Sequence, residues 1–539
     1  SLGTYYMFNV IKSTIFLSPS ILLGILFSIP ALIIIFSLFL PFSENWIHLK
    51  DTVLNEYISN SWKLLIGVSI GVFIIGVSTA WLTSTCNFFG KNFFVWGLVL
   101  PFAIPPYIMA YSFTGLFDSY GTANELMKLI FNLDSDEVFF PSVRNISGAI
   151  LIFSFTLYPY VFLISRTAFL NQSRDIFDIS RTLGLSKSKT FLKVALPLAR
   201  PAIIAGIMLV AMETLSDFGA VEHFAVPTFT SGIFRTWFGM NDIITAKQLA
   251  AFLFLLFLIF IVIEKYSRRK LQYNNISTSN RKLVPVQLYG IKQIGAFITC
   301  FIPVLIGFFI PFIQLLYWAV AHKLSYFDSS FFIAAFNTIY LSIIAVLICI
   351  ITSLVINFFI RLNKNNFLTM INKIISSGYG IPGIVLALGV LEFFSFLDDS
   401  FNVLFTGSIL GLVFAYSVKF YALPNSNIQS GFNKISSSLD DISDTLGHTK
   451  FSLLTKIHLP LLRTSFLTAI LVFLIEVIKE LPATLILRPF NFDTLSVSAY
   501  LYASDDRMVE AAAPSIAIVM VSLIPIILLL KIISRDNNE

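Results

Sequence analysis

Four carboxylates lie in stretches that otherwise read as hydrocarbon. Glu213 and Asp217 fall in METLSDFGA, and Glu476 and Glu480 in IEVIKELPA. The i, i+4 spacing predicts that each pair shares one helical face. Counted from Pro201 at about 1.5 Å per residue, Glu213 comes roughly 18 Å along and Asp217 roughly 24 Å. An ionisable group at such depth in a bilayer costs about 2.5–3.5 kcal/mol on insertion scales, so it faces a cavity or a partner. Four acids turned to one axis would line an oxygen-rich, negative path that suits a hard cation and repels an anion. The structural alternative pairs them with Lys479, Arg235 or Arg488, or neutralises them by protonation.

The composition supplies the bilayer. The chain has 539 residues, of which 56% are hydrophobic and only 12% charged, with a mean hydropathy of +0.83. An average soluble domain is about 25% charged. Apolar stretches of roughly 20 residues can each cross a hydrocarbon core of ~30 Å, so the expectation is an all-α polytopic membrane protein in a lipid bilayer. A barrel would show short alternating segments instead. The net charge of +6 belongs to short cytoplasmic loops rather than to a nucleic-acid surface. Cys86, Cys300 and Cys349 lack CxxC spacing and read as packing residues. Ile15–Leu40 is too long for a signal peptide and reads as a first span.

The apolar pattern predicts about twelve spans: Ile15–Leu40, Ser61–Thr85, Phe94–Phe117, Ile146–Phe169, Pro201–Glu222, Leu249–Glu264, Ile294–Val320, Phe332–Ile360, Ile371–Leu397, Leu404–Ala422, Ser465–Leu487 and Ala511–Ile533. A basic cytoplasmic linker, residues 265–293, separates a first repeat, 1–264, from a second, 294–539. Alternate loops carry the lysines and arginines, for example Arg166, Lys187 and Lys189, then Arg268, Arg269 and Lys270, then Arg361 and Lys364. The others carry acids such as Asp134, Asp136, Glu137, Asp398 and Asp399. The basic side and both termini are therefore expected in the cytoplasm.

DISRTLGLSKSKTFLKVALP (Asp178–Pro197) recurs as DISDTLGHTKFSLLTKIHLP (Asp441–Pro460), at an offset of 447 − 184 = 263. Roughly fourteen of about thirty-six positions from Asp178 onward are identical, which marks an internal repeat. Six spans per repeat give both halves the same orientation, related by an axis along the membrane normal. Upstream, IPPYIMA (Ile104–Ala110) matches IPGIVLA (Ile381–Ala387) at 382 − 105 = 277. The fourteen-residue difference falls in the acidic external stretch Asp118–Ser142, so the outer faces differ, and a partner there would dock in one orientation. Pro105, Pro106 and Pro382 interrupt corresponding spans and are candidate hinges or packing kinks.

The polar twins are too hydrophilic to span. Taken alone, they fit a symmetric partner or a pair of loops lying on lipid. Their spacing resembles the EAA cytoplasmic loop of ABC importer permeases. Asp178, Ile179 and Ser180 precede Gly184, Val194, Leu196 and Pro197, and the second copy has Asp441, Ile442 and Ser443, then Gly447, Ile457, Leu459 and Pro460. Asp replaces Glu, and Ile-Ser replaces the two alanines, in both copies. The flanks ETLSDFGAVEHFAVPTFTSGIFRTWFGMND (Glu213–Asp242) and KELPATLILRPFNFDTLSVSAYLYASDDRMVEAAAP (Lys479–Pro514) resemble the ferric-iron branch of these permeases.

The resemblance implies a fused type I ABC importer (MetI-like) permease fold of two parallel six-helix repeats in a bacterial inner membrane. Coupling to two cytosolic ABC ATPase subunits would run through Asp178, Ser180, Gly184, Leu196 and Pro197 and through Asp441, Ser443, Gly447, Leu459 and Pro460. A periplasmic ferric-iron-binding protein would deliver Fe3+ as substrate, with Glu213 and Glu476 touching it transiently. ATP-Mg would bind only the partner subunits, because this chain has no G-x-x-x-x-G-K-[ST] loop. No catalytic constellation is expected, no cofactor bound by this chain, and no nucleic-acid partner. His48, His223, His322, His448 and His458 are scattered and read as loop or interface residues, and Tyr107, Tyr111, Tyr379, Tyr416 and Tyr421 as packing or interfacial aromatics. The alternatives are a thiamine or polyamine permease and, from another class, an ion-coupled secondary transporter, which would not explain the twin segments.

Overall fold

The computed structural model describes residues 2–132, 139–172, 180, 182, 184, 186–274, 285–321, 327–363 and 366–536. Their secondary structure is helical except for one short pair of strands. Eight helices are long and apolar enough to cross a membrane, and three bent pairs raise the number to eleven. The tenth of the expected twelve spans is shorter: Ile409–Phe420 has twelve residues and is followed by Ala422–Lys434.

Two of the three bends fall at prolines, and the third, of 68°, lies at Leu462 between Lys450–Leu461 and Arg463–Ile478. Lys91–Ala103 and Pro106–Phe131 meet at 90°, and Asn366–Gly380 and Gly383–Phe401 at 115°. Pro105 and Pro382 adopt extended backbone with ψ of 151° and 140°. Proline withholds a backbone donor and pushes the residue before it out of the helical region, so the chain turns there.

Packing divides the chain differently from the sequence repeat. One compact unit, here the C-half unit, comprises Ser1–Pro41, Ser329–Val497 and Val521–Glu539. The other, the N-half unit, comprises Phe42–Asp328 and Ser498–Met520. The first helix of each repeat is thus counted with the body of the other repeat. Leu2–Phe36 packs on Gly383–Phe401 and Asn366–Ser376.

Within the N-half unit, Leu54–Thr85 packs along Ile146–Leu170, and both contact Leu196–Ser216. Glycines permit the approach. A Cβ on Gly71 would run into Ser154 Oγ, and one on Gly76 would meet Val161 Cβ at 2.8 Å. Small residues at such contacts are the usual means of helix association in a membrane. Cys86–Asn87 pairs in parallel with Val286–Gln287, so the end of the linker is pinned to the end of the second span.

The two units share polar pins in register. Asn60 Nδ2 donates to the Pro227 carbonyl at 3.2 Å, and Asn337 Nδ2 to the Asp493 carbonyl at 2.9 Å. Ser61 Oγ accepts from the Phe229 amide, and Thr338 Oγ1 from the Leu495 amide. Thr230 Oγ1 donates to the Asp217 carbonyl and Ser496 Oγ to the Glu480 carbonyl. The internal repeat is therefore structural as well as sequential.

Candidate coupling segments and membrane acids

The helix carrying Glu213 ends at Ser216, and the one carrying Glu476 ends at Ile478. This corrects the expectation that each acid pair shares one continuous helical face. Asp217 and Glu480 lie beyond the helix ends and serve the short helices that follow. Asp217 Oδ2 accepts from the Ala220 amide at 2.9 Å and the Val221 amide at 3.3 Å, at the start of Gly219–His223. Glu480 Oε1 accepts from the Ala483 amide at 3.1 Å, at the start of Pro482–Leu487. Free amides at a helix start need acceptors, and a carboxylate also complements the dipole. Glu213 and Glu476 stay in the last turn of their helices, which puts them near the helix ends rather than midway.

The second acids differ in their cations. Lys419 Nζ lies 2.5 Å from Glu480 Oε2, with both side chains largely buried. At the register of Lys419 the first repeat has Thr156, whose Oγ1 donates to the Ile152 carbonyl. The Lys419–Glu480 pair lies against the second proline break: a Cβ on Gly383 would meet Glu480 Oε1 at 2.6 Å and Lys419 Nζ at 3.2 Å. Glu476 is 3.5 Å from Lys479, whereas Arg235 pairs with Glu222 and Arg488 with Asp493. Among the described residues no three of His, Cys, Asp and Glu group together as metal ligands would.

Asp178 of the first coupling segment lies outside the described residues, as does His322. Ser180 and Ser443 are both buried. Gly184 and Gly447 have φ of +74° and +73°, and a Cβ at either would meet nothing within 4 Å. Left-handed backbone favours glycine whatever space surrounds it. Five-residue π turns follow in register, Phe191–Ala195 and Leu454–His458, and Leu196-Pro197 and Leu459-Pro460 continue from them. In the second segment Asp441, Ile442, Leu446 and Phe451 are exposed on the surface.

Spacing in the sequence did not reveal how the second segment is anchored. Arg361 Nε donates to Asp440 Oδ2 at 2.6 Å, and its other nitrogens reach the carbonyls of Phe432, Ile435 and Ser436. His458 Nε2 lies 2.8 Å from Asp440 Oδ1, with its ring edge-on to Phe358 and Phe432. Burial alone would push the Asp440 carboxyl up, but hydrogen bonds from Arg361 and His458 hold it below its ordinary range. The available signal was a mismatch within the repeat: Asp440 and His458 stand opposite Phe177 and Ala195. In the N-half unit the matching aromatics are Trp81 and Phe169, ring to ring at 5.3 Å, with Phe191 against Trp81 at 4.7 Å.

Bent spans, glycine turns matched in register and two helical repeats are the features with which similarity to known proteins agrees. Residues 72–272 match the family model described as binding-protein-dependent transport system inner membrane component. The chain is 26% identical over 486 residues to the Fe(3+)-transport system permease protein FbpB 2 of Haemophilus influenzae, covering 88% of this chain and 90% of that one. It is 25% identical over 166 residues to the putative molybdenum transport system permease protein YvgM of Bacillus subtilis, covering 31% and 70%. Similarity to the spermidine/putrescine transport system permease protein PotB of Escherichia coli is 23% over 176 residues, 32% and 62%. The chain thus carries an inner-membrane component of binding-protein-dependent transport over residues 72–272, and the relatives it matches are transport permease subunits, not enzymes.

Proposed function

We propose that the chain moves ferric iron, handed over by a periplasmic binding protein, across the inner membrane into the cytoplasm. The observation that carries the cargo is the similarity to an Fe(3+)-transport permease along nearly the whole of both chains. The molybdenum and spermidine/putrescine relatives match over about a third of this chain. Two ATPases dock on the twin segments, and the exposed Ile442, Leu446 and Phe451 support this as an apolar docking face. ATP binding draws the segments together, the repeats rock, and hydrolysis resets them. Both termini face the cytoplasm. Glu213 and Glu476 are the acids assigned to the ion path, because Asp217 and Glu480 are engaged in capping. The proline breaks are the places where the path opens.

The test is ATP-dependent uptake of radiolabelled Fe(III) into vesicles holding the assembled complex and its binding protein. Wild type is compared with Glu213→Gln/Glu476→Gln while hydrolysis is followed in parallel. Uptake that collapses while hydrolysis survives is the expected result. Unchanged uptake would reduce these acids to structure. A wild type that hydrolyses ATP but takes up no iron would overturn the cargo in favour of thiamine or a polyamine.

A further inference from the structure

Beneath the Arg361–Asp440–His458 anchor, the C-half unit holds a second polar cluster. Asn425 Oδ1 accepts from Asn357 Nδ2 at 2.6 Å, Asn372 Nδ2 at 3.1 Å and Ser353 Oγ at 3.3 Å. Asn425 Nδ2 donates to Ser376 Oγ at 2.8 Å, and Tyr421 Oη to Asn372 Oδ1 at 2.8 Å. Ser353, Asn357, Asn372, Tyr421 and Asn425 are all buried. Three helices contribute: Ser329–Asn363, Asn366–Ser376 and Ala422–Lys434.

Ser353, Asn357 and Arg361 stand at i, i+4 and i+8, one face of a single helix. That face therefore carries both clusters. Its outer end grips the coupling segment through Asp440. Its inner end grips, through Asn425, the Asn372–Ser376 stretch that leads directly into the 115° break at Pro382. Amide and hydroxyl networks in low dielectric have strong directional preferences and resist sliding.

Of these side chains the first repeat keeps one in register, Tyr158 opposite Tyr421. Ser353, Asn357 and Arg361 stand opposite Gly76, Ala80 and Ser84 at the offset of 277. Asn372 and Ser376 stand opposite Val95 and Val99, and at the offset of 263 Asn425 stands opposite Phe162. There Gln172 Nε2 donates to the Ala195 carbonyl of the π turn at 2.9 Å, and apolar contacts, which are non-directional, leave more freedom to shift than a network of amides does.

We propose that the second repeat is a rigid arm, in which Arg361, Asp440, His458, Asn357, Asn372 and Asn425 tie the coupling segment to the broken span, whereas the first repeat is a sliding joint. These are positioning residues. The two ATPases then act on unlike levers: one drives the break at Pro382 directly, and the other allows its segment to move relative to the break at Pro105. The proposal rests on ATPase docking at the twin segments and not on the identity of the cargo.

The test measures distances in the full complex in membranes, without nucleotide and with ATP and vanadate. Spin labels enter as unnatural amino acids at the exposed pair Lys373 and Lys456, and in a second sample at their register counterparts Trp96 and Lys193. In wild type the Lys373–Lys456 distance is expected to stay fixed while the Trp96–Lys193 distance shifts. Asn425→Leu and, separately, Arg361→Gln are expected to let the Lys373–Lys456 distance shift with nucleotide while hydrolysis continues. Two halves that behave alike in wild type would overturn the proposal even if neither variant assembles. So would a Lys373–Lys456 distance that stays fixed in both assembled variants. Failure of the ATPase to co-purify with wild type would overturn the docking reading itself, and the proposal with it.

Discussion

Lys419 reaches across from its helix to Glu480 at 2.5 Å, and both groups lie against the backbone of Gly383 at the second proline break. The acid also accepts the Ala483 amide, so one carboxylate joins a cation, a helix start and a bend. Removing one partner of a buried pair leaves the other charge uncompensated, at about 3–5 kcal/mol. Lys419→Met should therefore lower the thermal midpoint of the purified permease strongly. Adding Glu480→Gln should recover much of the loss, because no buried charge is then left alone. A double variant no more stable than Lys419→Met would show that the pair is not the source of the loss.

Gly184 and Gly447 have nearly the same left-handed φ and nothing close to their missing Cβ atoms. Alanine at either should cost only the backbone term, about 1–2 kcal/mol. A bulky residue such as leucine starts in open space at its Cβ and projects towards whatever docks there. Gly447→Leu should thus keep the permease folded, by its thermal midpoint, and lose co-purifying ATPase. Retained ATPase would place the docking surface elsewhere.

How much was legible in the sequence follows from where charge stands against an apolar background. The proline breaks and the glycine turns of the twin segments were readable because proline and glycine constrain the backbone locally. The end of the helix after Glu213 was not: LSDFGA has a helical pattern, and only the Ala220 and Val221 amides show that Asp217 is a cap. Lys419 was hidden for a related reason. It is a single cation inside an apolar run, and its partner lies 61 residues away. The exchange of first helices between units is a tertiary choice that periodicity cannot carry, since Leu2–Phe36 is apolar enough to pack on many surfaces.

Packing of the second span on the fourth gives a steric prediction. A Cβ on Gly71 would lie 2.7 Å from Ser154 Cβ, and one on Gly76 would lie 3.1 Å from the Phe162 amide nitrogen. The helices must separate to admit anything larger, and overpacking of this kind costs about 1–3 kcal/mol or more. Gly76→Leu should reduce the yield of folded permease in membranes far more than Gly239→Leu, whose Cβ would meet nothing within 4 Å. Equal yields would mean that this interface is looser than its geometry.

Asp242 gives a pH dependence with a definite sign. It begins the helix Ile243–Asn274, accepting the Thr245 amide at 2.9 Å, Ser43 Oγ at 2.7 Å, Asn45 Nδ2 at 2.9 Å and Thr245 Oγ1 at 2.7 Å. Burial pushes the carboxyl up, but these donors more than offset it and bring the pKa down to about 2. A folded pKa below the unfolded value of about 3.9 means that the ionised group stabilises the folded state above the ordinary carboxylate range. That contribution drains away as pH falls through the interval down to about 2. The difference in thermal midpoint between wild type and Asp242→Asn should be constant from neutral pH down to the ordinary carboxylate range, then shrink with further acid. Asparagine keeps the size and one acceptor but not the charge, so a difference independent of pH down to the lowest value reached would mean that geometry, and not ionisation, holds this helix start.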